Sequence, residues 1–273
     1  MELLGLAVVA ADGTIKHASE GMEEVTLSWR GAYEPGDRLV VTTASAGLHL
    51  TMKLDECLAE SWVYLPGTSF EFPIPMGDDK KMYGKDRAFT DERHWAFVRA
   101  LDPRERGNWH NLALNAHDRK IDDAGDVKPS LYPHASTNVV CDNPQFYARN
   151  AIDGIFEAKG HGSWPHESWG VNRQENAWLR VDFGEPVLAD ELRLYLRADY
   201  PHDSWWEDVR VELSNGEDLT FTLDKTGAAQ LLGLGGAEIE WLRIYHLRRS
   251  KEPGFPAISQ VQVWGRYAEA PAH

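Results

Sequence analysis

A strict two-residue hydrophobic period constrains this chain more than any other feature. Across residues 191–197, Leu192, Leu194 and Leu196 alternate with Glu191, Arg193, Tyr195 and Arg197. Val209, Val211 and Leu213 alternate with Arg210, Glu212 and Ser214, and Leu219, Phe221 and Leu223 with Thr220 and Thr222. Successive side chains of a strand point to opposite faces, so each run buries one face and wets the other. Ser214-Asn215-Gly216-Glu217 separates the last two runs. Asn-Gly there predicts a type I′ hairpin with two positive φ values.

Further extended runs are predicted at residues 3–10, 25–29, 38–43, 48–54, 62–65, 95–100, 178–183, 241–247 and 258–264. Helix signals are few; Asn143-Pro144 could start a turn or two within residues 146–156. Short strands punctuated by Gly, Pro and Asn predict an all-β chain of sandwich type. Residues 118–130 are polar and charged, with Gly125 and Pro129, which is linker composition. The predicted division is therefore residues 1–130 and 131–273, each long enough for a core of its own.

The net charge of -15 argues against a nucleic-acid or anionic-membrane partner, since both need a concentrated basic surface. A neutral glycan is not opposed by it. Cys57 and Cys141 have no metal-ligand spacing and suggest no disulfide framework. The apolar stretch at residues 3–10 follows Glu2 and is short for a signal peptide. No run approaches the roughly 20 apolar residues of a membrane span. The default expectation is a cytoplasmic location, with an extracellular one left open.

One five-residue pattern occurs twice. Pro165-His166-Glu167-Ser168-Trp169 is echoed by Pro201-His202-Asp203-Ser204-Trp205, with Trp206 next. If residues 178–183 and 191–197 are consecutive antiparallel strands, the loops at 160–177 and 198–206 share one end of the sandwich. Sugars ask for flat apolar faces and short polar groups. Trp164, Trp169, Trp205 and Trp206 are candidate stacking faces, or else pins that hold long loops. His166, Asn172, Arg197, Asp199, His202 and Asp203 are candidate hydroxyl-recognising groups, or else a loop-bracing network in which Arg197 pairs with Asp199 or Asp203. A zinc site from His161, His166 and His202 lacks local motif spacing. A glycosidase pair from Glu167 and Asp203 needs a separation that sequence does not give.

Four stretches resemble the discoidin-like (F5/8 type C) family, which includes the family 32 carbohydrate-binding modules. They are Ala148-Arg149-Asn150-Ala151-Ile152-Asp153-Gly154, Trp178-Leu179-Arg180-Val181-Asp182-Phe183-Gly184, residues 209–216, and Ile258-Ser259-Gln260-Val261-Gln262-Val263-Trp264-Gly265. The whole chain is also similar to a group of two-domain bacterial proteins described as carbohydrate-binding, through residues 111–115 and 132–135. The resemblance implies a jelly-roll sandwich over residues 131–273, with ligand held by loops at one end, Phe255 among them. It implies no required cofactor. A structural calcium ion is common in the family, and Asp153 and Gln260 stand where its ligands would be; Gln260 replaces a carboxylate, which weakens the site.

The expected function is non-catalytic binding of a carbohydrate, a neutral or amino sugar, by the C-terminal half. A glycan-processing enzyme with a cleft between the halves, and an assembly module, are the rivals. Residues 94–117 supply His94, Trp109, Asn111, Asn115 and His117 either to interdomain packing or to one flank of such a cleft. Oligomeric state is not legible.

Overall fold

This computed structural model describes residues 1–84, 87–119 and 129–268. The N-terminal half supplies β1 (Leu3–Val9), β2 (Ile15–Met22), β3 (Glu24–Arg30), β4 (Arg38–Thr43), β5 (Leu48–Lys53), β6 (Ser61–Leu65), β7 (Ser69–Pro73) and β8 (Arg93–Ala100). They form two four-stranded sheets, ordered β2-β1-β4-β7 and β3-β8-β5-β6. Alternate residues of facing strands fill one core: Leu4 and Leu6 of β1, Val25 and Leu27 of β3, Leu50 and Met52 of β5, Phe70 and Phe72 of β7. Two strands escaped sequence reading. β2 leaves most of its side chains in solvent, and β7 is short.

The other half supplies β9 (His110–Asn111), β10 (His134–Thr137), β11 (Trp169–Gly170), β12 (Leu179–Leu196), β13 (Trp206–Leu213), β14 (Asp218–Thr222), β15 (Gln230–Arg249) and β16 (Ala257–Tyr267). Their order is β11-β16-β12-β15-β13-β14, with β10 added to β12 and β9 to β16. This is an antiparallel β-sandwich, as expected. The helical signal near residue 146 becomes two short 3₁₀ segments, Pro144–Phe146 and Ala148–Ala151. Among the described residues, no helix is long and apolar enough to cross a membrane.

Two expectations need correction. Residues 178–183 and 191–197 do not pair with each other; they belong to the single strand β12. Its pairing with β15 breaks between Asp182 and Val187, where the chain turns a corner. Gly184 sits at that corner with φ +77°, and a Cβ there would lie 2.5 Å from the Tyr132 ring, so only glycine fits. A bulge then adds one residue: Ala189 opposes Gly265 while Glu191 opposes Trp264. That insertion moves the buried set from odd numbers (Val187, Ala189) to even ones (Leu192, Leu194, Leu196). Both arms of β12 thereby face one core.

The β13–β14 hairpin exists, but its turn is not type I′. Only Gly216 has positive φ, at 93°, and Leu213 N donates to Glu217 O at 2.9 Å. Asn215 instead caps the turn by accepting from Glu217 N at 3.0 Å. A single αL glycine suits a longer hairpin loop.

The halves are interlocked. β9 pairs with β16, and Leu101, Leu112 and Ala113 pack into the second core. Leu131 packs into the first. Tyr64 and Tyr132 exchange backbone hydrogen bonds of 2.8 and 2.9 Å. Asn111 and Asn115 serve this junction: Asn111 Oδ1 accepts from Val263 N, and Asn115 Nδ2 donates to Pro133 O. Of the expected linker, residues 120–128 lie outside the described residues. Asp118 before them is buried and accepts from Ala135 N while pairing with His134.

Candidate ligand-binding site

Three loops come together beside the end of β12. Ala198 N donates to Ala158 O at 2.6 Å, which ties the loop after β12 to the loop before β11. Arg197 N donates to Ala257 O at 3.0 Å, which ties it to the start of β16. The third loop, between β15 and β16, presses onto the second through Gly254. A Cβ at Gly254 would lie 2.5 Å from Ser204 N, so the approach requires glycine, and φ there is +135°. Phe255 N then donates to His202 O at 3.3 Å, which seats the Phe255 ring beside the His202 ring.

Arg197 is the fastener. It is 4% exposed; Nε and Nη2 both donate to Asp203 Oδ1, at 2.9 and 2.6 Å, and Nη2 also donates to Phe255 O at 2.7 Å. Asp203 Oδ2 accepts from Asp199 N at 2.7 Å. One buried ion pair therefore joins two loops, in the bracing role considered from sequence. Charge-assisted bonds of this kind are the stronger class.

Between the loops lies a cavity of about 720 Å³. Along one side runs a row of flat groups. His161 and His202 stack with centroids 4.1 Å apart and planes 7° from parallel. His202 and Phe255 follow at 5.3 Å, and the Arg173 guanidinium lies 5.1 Å from the Phe255 centroid. His161 Nδ1 pairs with Asp199 Oδ2 at 2.5 Å, and that hydrogen bond holds the Asp199 carboxyl below its usual range. Asn172, Gln174, Glu175, Arg249 and the buried Trp206 also border the space. Asn172 and Arg173 are consecutive non-glycine residues with positive φ, 44° and 60°. Such backbone is costly and clusters at ligand sites.

Of the expected site residues, Asn172, Arg197, His202, Trp206 and Phe255 border this cavity. Asp199 and Asp203 support it from behind. The other four do not meet it. Trp169 is wholly buried in the core, its Nε1 donating to Thr137 Oγ1 at 3.2 Å, so it offers no stacking face. Trp164 turns to the N-terminal half, where its indole lies against Gly84 and near the Arg87 guanidinium. His166 lies against Gly160. Trp205 packs at the core margin, with the Lys225 ammonium 5.1 Å from its ring centroid. Sequence reading missed Arg173, Gln174, Glu175 and Arg249, and weighed His161 only as a zinc ligand. The chemistry of residues 172–175 was visible, but nothing in a loop without periodicity says which side chains face inward.

The rival chemistries are not assembled. Nearly parallel imidazoles have lone pairs that do not converge, and no group of three or more His, Cys, Asp or Glu able to hold a metal occurs among the described residues. Glu167 and Asp203 do not form a pair: Asp203 is held by Arg197, while Glu167 is buried beside Asp153. Burial pushes both the Glu167 and Asp153 carboxyls well above the usual range.

Asp153 bears on the expected calcium. Its Oδ1 accepts from Ile155 N, and its Oδ2 lies 3.6 Å from Arg149 Nη1. Arg149 is itself buried and fixed to Asp118 O and Ala116 O. A buried guanidinium thus already supplies positive charge at the carboxylate. Asp153 Oδ2, both Glu167 carboxylate oxygens and Gln260 Oε1 are all buried without a hydrogen-bond partner, and calcium takes six to eight oxygens. Buried oxygens left without hydrogen-bond donors suit an oxygen-ligated cation as well as the Arg149 guanidinium beside Asp153.

No family model matches this chain, and no curated protein matches it. Solved structures do. The lectin domain of lectinolysin, complexed with Lewis B antigen, is 18% identical, with 58% of this chain and 98% of that one covered and a TM-score of 0.40. A Streptococcus pneumoniae fucose-binding module is 17% identical, over 59% of this chain and 99% of that one, at 0.40. A family 32 carbohydrate-binding module from C. perfringens, in complex with galactose, is 16% identical, over 48% and 91%, at 0.37.

Proposed function

We propose that this protein binds a carbohydrate, without chemistry, in the cavity between the loops at residues 158–176, 198–205 and 250–256. The observation that carries this reading is the ringed cavity itself. About 720 Å³ suits a small-molecule site, and the exposed Phe255 ring, beside the stacked His161–His202 pair, offers an apolar surface for sugar C–H groups. Polar groups stand beside them. Asn172 and Gln174 use their amide nitrogens on Val140 O and Asn138 O, which leaves their carbonyl oxygens to accept from hydroxyls. A non-catalytic reading is supported by the engagement of Asp203 and Glu167 in buried pairs away from the cavity.

Calorimetric titration with a panel of neutral and acidic mono- and oligosaccharides tests it. Saturable binding, lost in Phe255→Ala, is expected, with no turnover of chromogenic glycosides. An absence of binding across the panel at millimolar sugar, a threshold near -4 kcal/mol, would sink the reading.

A further inference from the structure

The cavity runs against the charge of the protein that carries it. The chain has 43 acidic and 28 basic residues, yet three arginines border the cavity and Glu175 is the one carboxylate that does so among the described residues. Arg197 is neutralised by Asp203. Arg173 and Arg249 have no carboxylate partner among the described residues. Arg249 anchors Nη2 on Gly254 O at 2.6 Å, and Arg173 makes no hydrogen bond there at all. Its guanidinium is instead held over the Phe255 ring, a contact that orients the plane without consuming an N–H donor. Donors are thus positioned at a flat-walled cavity and left open. A planar guanidinium matches a carboxylate through two parallel hydrogen bonds.

Resting on the carbohydrate-binding reading, we infer that the ligand is an acidic sugar, a uronic acid or a glycan containing one, whose carboxylate meets Arg173 and Arg249 while its ring lies along the His202–Phe255 wall. This departs from the neutral or amino sugar expected from sequence. An ammonium group would face the same two guanidinium groups and be repelled. The acidic exterior does not prevent binding of an anion. At about 0.1 M ionic strength the screening length is about 10 Å, so distant carboxylates are largely screened while groups lining the cavity are not.

The test compares twins that differ only at the exocyclic carbon: galacturonate with galactose, and glucuronate with glucose, titrated at constant ionic strength. At least one uronate should bind about tenfold or more tightly than its neutral twin. Arg173→Gln should bring the twins close to parity, weakening the uronate far more than its neutral twin, with little change in Tm. Glu175→Gln should tighten the uronate more than its neutral twin. Because Arg249 also holds its loop, Arg249→Lys serves as the charge-preserving control and should keep most of the preference. Equal binding of both twins, insensitive to Arg173→Gln, would overturn the acidic-sugar inference and leave carbohydrate binding standing. Binding of neither twin, nor of any other sugar, would overturn both.

Discussion

Arg197 grips Asp203 through two nitrogens on one oxygen, and the other oxygen of Asp203 takes the amide of Asp199. Neither residue depends on ligand to hold its place, because the pair is closed within the protein. A site built on such a fastener is set before anything binds, which limits the ordering cost of binding.

The first prediction concerns that pair. Asp203→Ala leaves a buried guanidinium unpaired and should cost about 3–5 kcal/mol of stability. An Arg197→Met, Asp203→Leu double variant should recover much of this in chemical denaturation while binding sugar poorly, since Phe255 O loses its donor. Equal destabilisation by the single and double changes would show that the pair is not what matters.

Three of the loop tryptophans should separate by burial. Trp169→Ala and Trp206→Ala remove core side chains and should cost about 3–5 kcal/mol each. Trp205→Ala, at the core margin, should cost less and leave ligand affinity nearly unchanged. Denaturant midpoints for the three variants decide this; a harmless Trp169→Ala would contradict its placement in the core.

Phe255 should behave in the opposite way. It is 44% exposed, so Phe255→Ala should shift Tm little while weakening sugar binding tenfold or more. His202→Ala should do the same. Parallel melting curves and titrations would expose a merely structural role, in which both readouts fall together.

Acid should destabilise the fold through His117. Burial first, then the Arg149 and Lys53 charges, push its imidazole down to about 3. Its Nε2 accepts from Leu54 N at 3.1 Å, which only the unprotonated nitrogen can do. A depressed imidazole contributes stability that is complete above its ordinary value near 6.5 and is lost as pH falls toward 3. The loss should be on the order of a few kcal/mol. His117→Gln should flatten the stability profile between pH 6.5 and 4; an unchanged slope would rule His117 out as its source.

Calcium should be dispensable. With Arg149 already against Asp153, millimolar calcium and excess chelator should give the same Tm. A calcium-dependent rise in Tm that disappears in Asp153→Asn would instead assign the buried carboxyls to a cation.

Strand existence was legible because buried faces impose a period. β1, β3, β4, β5, β6 and β8 all follow from it. β2 was not legible because an exposed strand has no buried face to announce it. The corner in β12 was hidden for another reason: Gly184 interrupts the run and the Asp190 bulge flips which face is buried, so one strand reads as two. The conclusion drawn from that pairing, that the two loops meet, is nonetheless seen in the structure, where Ala198 N donates to Ala158 O and His161 Nδ1 pairs with Asp199 Oδ2. The repeated Pro-His-acid-Ser-Trp pattern marked loops that border the cavity, while most of its own side chains turn away from it. In both copies the carboxylate and the serine are buried, Glu167 with Ser168 and Asp203 with Ser204. The pattern anchors loops to the sandwich, and only the second histidine reaches the cavity. Loops have no period, so inward and outward positions could not be told apart.

The short strand at His110–Asn111 has a consequence for how this molecule can be divided. It covers the margin of β16, while Leu112 and Ala113 fill the core beneath. A fragment cut at residue 131 would bare that margin and leave a hole under the sheet that carries the site. The cavity-bearing half is therefore not an autonomous cassette to be transplanted between proteins. An engineer borrowing the cavity should take residues 101–117 with it.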